Sequence, residues 1–212
     1  MRHDAQRSPA GAFRRLDAYM AEARERLSTG SALCVVRGDD VVHEAYGGRH
    51  GAEPGSRPID AVSQFHLASV RKTYLGFAVS LAIEEGRIAS LDDAAADYLE
   101  DAGEVPLAGI TLRHLLTHTH GLRRGGEAGR EFPPGTGWSY NNTELGPSLP
   151  AGAFQSLGVY GCAVLVLPLH GAAAVRMLNG FKPNPPGYDY LADIRRFGDL
   201  VLEALECASM KG

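Results

Sequence analysis

The stretch Ser69-Val70-Arg71-Lys72, followed by eleven residues without a charge, constrains this chain more than any other feature. Tyr74, Leu75, Phe77, Ala78, Val79, Leu81, Ala82 and Ile83 fill that run, and Gly86 stops it. The pattern predicts a buried helix over residues 69–85 with a glycine C-cap. Ser69 and Lys72 are three residues apart, so on a helix they share one face and the amine lies within reach of the hydroxyl proton. Any fold proposed for the chain has to place this pair at the mouth of an apolar segment.

The rest of the sequence supplies elements on both sides of it. Phe13, Leu16, Tyr19, Met20, Ala23 and Leu27 recur at helical spacing, predicting an amphipathic helix over 10–27 that ends before Gly30. Residues 32–36 and 41–46 are β-prone runs around Gly38-Asp39-Asp40, which reads as a hairpin. Residues 47–60 are loop. Ser90-Leu91-Asp92-Asp93 has the look of a capped helix start, and 111–116 of a short helical piece. Residues 123–137 are again loop, dense in Gly and Pro. Residues 159–167 and 172–178 predict two strands around a turn at 168–171, and 188–205 an amphipathic closing helix.

A length of 212 residues with 44% hydrophobic and 22% charged content fits one soluble globular domain with one sizeable core. A formal charge of -4 with scattered arginines argues against a nucleic-acid surface. The longest apolar run, 159–169, is too short to span a bilayer, and residues 1–15 contain no apolar signal segment, so no membrane association and a cytoplasmic location are expected. Cys34, Cys162 and Cys207 are widely spaced and form no CxxC pair. His118-x-His120 has the wrong spacing for two ligands on one helix face and has no carboxylate at ligand distance, so no metal is expected. No glycine-rich phosphate loop appears, and no cofactor is expected.

A serine hydroxyl becomes a nucleophile only with a base in hydrogen-bond reach, and an ammonium serves as base only after giving up its proton. Apolar surroundings and a helix N-terminus both favour the neutral amine. The same N-terminus offers the Ser69 backbone N–H to a developing oxyanion. Tyr140 and Asn142, in Tyr140-Asn141-Asn142, add a phenol for proton relay and an amide to orient the amine or a substrate carbonyl. SxxK by itself is a common accident; its position at the head of an apolar helix, followed by YxN, is what points to serine acyl transfer.

Four segments carry a family resemblance: 65–86 (FHLASVRKTYLGFAVSLAIEEG), 88–91 (IASL), 110–122 (ITLRHLLTHTHGL) and 132–143 (FPPGTGWSYNNT). In that order they resemble the serine β-lactamase and penicillin-binding-protein-like family, in its class C β-lactamase and family VIII esterase branch. The resemblance runs over about residues 12–145. It implies an α+β, β-lactamase/transpeptidase-like fold with a central antiparallel sheet flanked by helices. Residues 1–212 then form a single domain, with a reduced helical lobe at about 87–150 inserted between the two parts of the sheet. It further implies Ser69 as the acylated nucleophile, Lys72 as its general base, Tyr140 as the second acid/base and Asn142 as an orienting amide.

The chain departs from that pattern after Asn142. The family has a long helical stretch before a third motif, Lys-Thr-Gly or His-x-Gly, whereas here thirteen residues separate Asn142 from Ser156. Ser156-Leu157-Gly158 is the best candidate for that motif, which would make the Val159 N–H the second oxyanion donor. Thirteen residues reach up to roughly 40 Å when extended, enough to cross a cleft of about 10 Å. Ser156 carries no charge to pair with a substrate carboxylate, so an ester or amide is a better expected substrate than a lactam. Trp138 is a candidate wall for the acyl pocket. Loss of helical cover is expected to bare apolar surface, which a second copy of the chain can cover as a homodimer. Three functions fit: a hydrolase of small esters or amides, an ester- or amide-forming acyltransferase using the same acyl-enzyme, and a degenerate member that binds a ligand or partner without turnover.

Overall fold

The structure is a computed structural model, and it describes residues 11–99, 106–123, 129–139, 153–158, 161–179 and 182–209. The chain divides into two compact units. One comprises Met1–Lys72 with Thr143–Gly212, and the other is Thr73–Asn142.

The first unit is built on an antiparallel sheet. Helix α1 (Arg14–Leu27) leads into β1 (Gly30–Arg37) and β2 (Asp40–Gly48), the hairpin that the Gly38-Asp39 turn predicts. From the C-terminal half come β3 (Phe154–Gly158), β4 (Cys162–Leu167) and β5 (Ala172–Asn179), followed by helix α4 (Tyr190–Ser209). The expected strand over 159–167 starts later, at Cys162, and β3 precedes it. The strand order is β2-β1-β5-β4-β3, so the two ends of the sequence meet where β1 pairs with β5, Gly30 opposite Asn179 through Arg37 opposite Ala172.

Strand alternation gives the sheet two different faces. Leu33, Val35, Ala163, Leu165, Leu167 and Ala174 point to one of them. There α1 (Leu16, Met20) and α4 (Ile194, Phe197, Val201, Leu205) cover them to form the main core. Cys162, Val164, Val175 and Met177 point to the other, where they meet Phe65, Leu67 and Val70. The helical face is closed by helices, and the second face carries the turn on which Ser69 sits.

One charge lies inside the main core. Arg176 on β5 is fully buried, and its guanidinium is ion-paired to Asp193 of α4 at 2.6 Å, bonded to the Tyr19 hydroxyl and stacked near the Tyr19 and Phe197 rings. Asp193 also accepts from Tyr19 at 2.8 Å and from Tyr188 at 2.8 Å. Gly161 leaves room for this group, since a Cβ there would sit 2.8 Å from the guanidinium, and its φ of +81° lies where side chains are disfavoured. α1, β5 and α4 are thereby tied through one carboxylate.

The second unit starts with most of helix α2 (Lys72–Glu84), which corrects two expectations. The α-helix begins at Lys72, and Ser69 lies before it in a 3₁₀ turn over Ala68–Arg71. Nor is the helix buried: none of its residues is, and Tyr74, Leu75 and Phe77 are each more than 60% exposed. Apolar composition reports what a segment needs, while burial requires a neighbouring layer, which sequence periodicity does not supply. The predicted helix at Ser90 is a turn instead. Its local bonds form, Ser90 N–H to Asp93 at 3.0 Å and Asp92 N–H to the Ser90 hydroxyl at 3.0 Å, but Ala94 then bridges to Thr111 and only a short 3₁₀ turn, Ala95–Asp97, follows.

Helix α3 (Leu112–Leu116) matches the expected helical piece at 111–116. It has a capping box in which the Thr111 side chain accepts from the His114 N–H while His114 Nδ1 accepts from the Thr111 N–H. Ala95, Ile110 and Leu112 form the small core of this unit, and Arg113 pairs with Asp92 at 2.7 Å. His120 accepts from the Leu122 N–H at 2.9 Å and holds the turn after α3.

Burial by itself pushes the Asp193 carboxyl up, yet the Arg176 guanidinium and the bonds from Arg176, Tyr188 and Tyr19 outweigh it and hold the group below the ordinary carboxylate range. A folded-state value below the unfolded one means the stabilisation is complete above the usual carboxylate pKa and is lost as pH falls through the lowered value. Asp193→Ala, which leaves Arg176 buried and uncompensated, is expected to lower unfolding free energy by about 3–5 kcal/mol and to flatten the acid limb of the stability profile. Urea unfolding of both proteins as a function of pH measures each effect.

Candidate active site

Val70 anchors the turn that carries Ser69. Its buried side chain packs with Cys162 and Met177 on the second face of the sheet, which leaves Ser69 and Lys72 half-buried on either side of it. The Val70 N–H donates to the Leu67 carbonyl at 3.1 Å, and the Lys72 N–H donates to the carbonyls of Ser69 and Val70. This turn-to-helix geometry brings Lys72 Nζ to 3.0 Å from Ser69 Oγ, with the amine donating. The three-residue spacing read from sequence therefore closes in space, through a 3₁₀ turn rather than an α-turn. A hydroxyl held this close to an amine is arranged for proton transfer between them.

The residue before Ser69 is in an unusual conformation. Ala68 has φ +49°, in the left-handed region that costs an alanine about 1 kcal/mol or more. Its N–H is taken by His66 Nδ1 at 3.2 Å, and the Cys162 thiol donates to the His66 carbonyl at 3.5 Å. His66 and Cys162 thus shape the approach to Ser69, a role with no sequence signature. Burial raises the pKa of the Cys162 thiol, so it acts as a neutral donor.

β3 borders the same turn. Leu157 points into the main core, so by alternation Ser156 and Gly158 share the opposite face, that of the Ser69 turn. Gly158 is a close approach: a Cβ there would lie 3.0 Å from the Leu67 carbonyl oxygen, 3.2 Å from Ala68 Cβ and 3.3 Å from Cys162 Cβ. A Cβ there would be in tight contact, so glycine eases the approach of strand and turn. Ser156 is half-buried, opposite Val164 in the ladder with β4. The structure thus brings Ser69, Lys72, Ser156 and Gly158 into one unit. Trp138 belongs to the second unit, where its side chain is half-exposed beside Gly137, itself packed on the Phe132 ring. Tyr140, Asn142 and Val159 lie outside the described residues.

No group of three or more His, Cys, Asp or Glu side chains suited to a metal occurs among the described residues. His118 and His120 meet edge to face, with their ring centroids 6.4 Å apart. No described helix is long and apolar enough to cross a membrane.

Gly158→Val forces a branched side chain into the space between β3 and the Ser69 turn. It is expected to cost about 1–3 kcal/mol of stability, read by urea unfolding.

The sequence matches the beta-lactamase family model over residues 14–149, well over half of the chain. An uncharacterized protein of Alkalihalophilus pseudofirmus is 24% identical over 310 aligned positions, which cover 84% of this chain and 91% of the relative. Since this chain has 212 residues, at least 98 of those positions (310 − 212) have no counterpart in it, as expected of a family member shortened inside the domain. The esterase EstB of Burkholderia gladioli is 27% identical, over 82% of this chain and 59% of its own length. Among solved structures, the D-alanine carboxypeptidase AmpC of Burkholderia cenocepacia superposes with a TM-score of 0.53 at 25% identity, over 62% of this chain and 40% of that one. The chain thus spans little more than half of the esterase and less than half of the carboxypeptidase. With the antiparallel sheet, the flanking helices and the serine–lysine turn, these matches establish that the chain belongs to the beta-lactamase family.

Proposed function

We propose that this family member is a serine hydrolase that cleaves a small ester or amide through an acyl-enzyme on Ser69. The observation that carries the reading is the 3.0 Å contact between Lys72 Nζ and Ser69 Oγ on a turn pressed against β3. In the proposed reaction Ser69 Oγ attacks the substrate carbonyl carbon while its proton passes to the Lys72 amine. The tetrahedral oxyanion takes hydrogen bonds from the Ser69 and Val159 N–H groups. Collapse breaks the bond to the leaving alcohol or amine, which receives a proton through Lys72 and Tyr140, with Asn142 orienting the amine. Water then attacks the acyl-serine and gives a proton to the same base; collapse breaks the bond to Ser69 Oγ, which takes that proton back as the acid leaves.

The neutral side chain of Ser156 favours esters and simple amides over penicillin-like substrates, because a substrate carboxylate would find no cation or imidazole at that position. Family relatives named as an esterase and as a D-alanine carboxypeptidase bracket this chemistry. Trp138 is the proposed wall for the acyl group, and Ser156 and Gly158 the edge that lines the substrate.

Intact-protein mass after exposure to p-nitrophenyl acetate, a fluorophosphonate and a penicillin tests the reading. An adduct on the native protein that disappears in Ser69→Ala is expected, larger with the ester and the fluorophosphonate than with the lactam. Lys72→Ala is expected to slow acylation by roughly 10²–10⁴-fold while circular dichroism stays native. Absence of any adduct on the native protein would refute the reading and favour a binding protein without turnover. Ester or amide products formed when an alcohol or amine is added would assign the acyl-enzyme to transfer instead of hydrolysis.

A further inference from the structure

The carbonyl of Gly158, the last residue of β3, accepts a hydrogen bond at 3.0 Å from the hydroxyl of Tyr190, the first residue of α4. Tyr190 is half-buried and packs against the main core, so its ring is held by neighbours independently of this bond. The helix start is fixed in turn: Asp189 accepts from the Leu191 and Ala192 N–H groups at 2.9 and 3.1 Å, and Asp193 pairs with buried Arg176. The hydroxyl therefore reaches the strand end from a rigid support. Gly158 is also the point at which the backbone of β3 closes on Leu67 and Ala68, immediately before Ser69. One residue thus has its carbonyl bonded to α4 and its α-carbon against the turn bearing the hydroxyl–amine pair.

From this arrangement we propose that Tyr190 is a positioning residue for acyl transfer at Ser69; the inference rests on the serine-hydrolase reading above. A bond that fixes the Gly158 carbonyl fixes the strand end that closes on Leu67 and Ala68, next to Ser69. Tyr190 touches neither the substrate nor the reacting atoms in this account. It acts through Gly158 by holding the strand end at a constant distance from the Ser69 turn. Displacements well below the size of an atom matter here, since oxyanion donors work only within a narrow range of position.

Tyr190→Phe removes the hydroxyl and keeps the ring. The test measures, for native protein and variant, the rate of Ser69 acylation by p-nitrophenyl acetate and a fluorophosphonate, the pH profile of that rate, and hydrogen exchange in the peptide covering 154–162. The variant is expected to acylate roughly tenfold more slowly, with KM for the ester within about twofold and an unchanged pH midpoint. Exchange at the end of β3 is expected to quicken while the melting temperature falls by less than about 5 °C. A hydroxyl serving only stability would leave the acylation rate unchanged below the melting transition, and that outcome overturns the proposal. So does unchanged exchange at the strand end. If the native protein forms no adduct, the hydrolase reading falls and the positioning role with it, whereas an acylating native protein with an equally fast variant removes Tyr190 alone.

Discussion

Pairing of β1 with β5 is the constraint on which the rest of this structure depends. Those two strands come from opposite ends of the sequence and run antiparallel over eight residue pairs, so the sheet exists only when both ends of the chain are together. Because strand faces alternate, a single register decides both that Leu33 and Ala174 meet the helices and that Val175 and Met177 meet the Ser69 turn. A slip of one residue would exchange the two faces and remove the bed on which Val70 rests.

The buried Arg176–Asp193 pair works alongside that register. A charge inside a core costs free energy unless it is paired and hydrogen-bonded, and Asp193 meets the requirement by accepting from Arg176, Tyr19 and Tyr188 together. The carboxylate on α4 is thus bonded to α1, to β5 and to the segment just before α4 at once. α4 is thereby placed with its first turn at the end of β3, the border of the candidate site.

At that border the local chemistry is simple. Ala68, strained, precedes Ser69 and gives its own N–H to the His66 imidazole, the glycine end of β3 closes on Leu67 and Ala68, and the Lys72 amine reaches back to Ser69 from the next turn. Strain of this kind persists only where the surroundings over-determine it, and here His66, Val70 and Gly158 supply three independent restraints.

What was legible in the sequence was what depends on local chemistry. The 3.6-residue spacing of Leu16, Met20 and Ala23 marked α1, the Gly38-Asp39 turn marked the first hairpin, and three-residue spacing brought Lys72 to Ser69. The order of motifs pointed to the family before any coordinates were needed. Other readings failed where the outcome rested on distant neighbours. The apolar run of α2 implied burial, but burial belongs to whatever lies across from a helix. Ser90 and Asp93 made their capping bonds, yet the Ala94–Thr111 bridge drew the chain away from an α-helix. Tyr190 went unnoticed because it acts through a contact with a residue remote in sequence, and Gly158, read only as part of a motif, owes its close approach to the Ser69 turn to the same kind of contact. The sequence by itself determined the serine–lysine pair and the family, since these are carried by residue type and short spacing. Only the tertiary structure decided how Ser69 is presented, because the restraints on it come from strands and a helix nearly a hundred or more residues away.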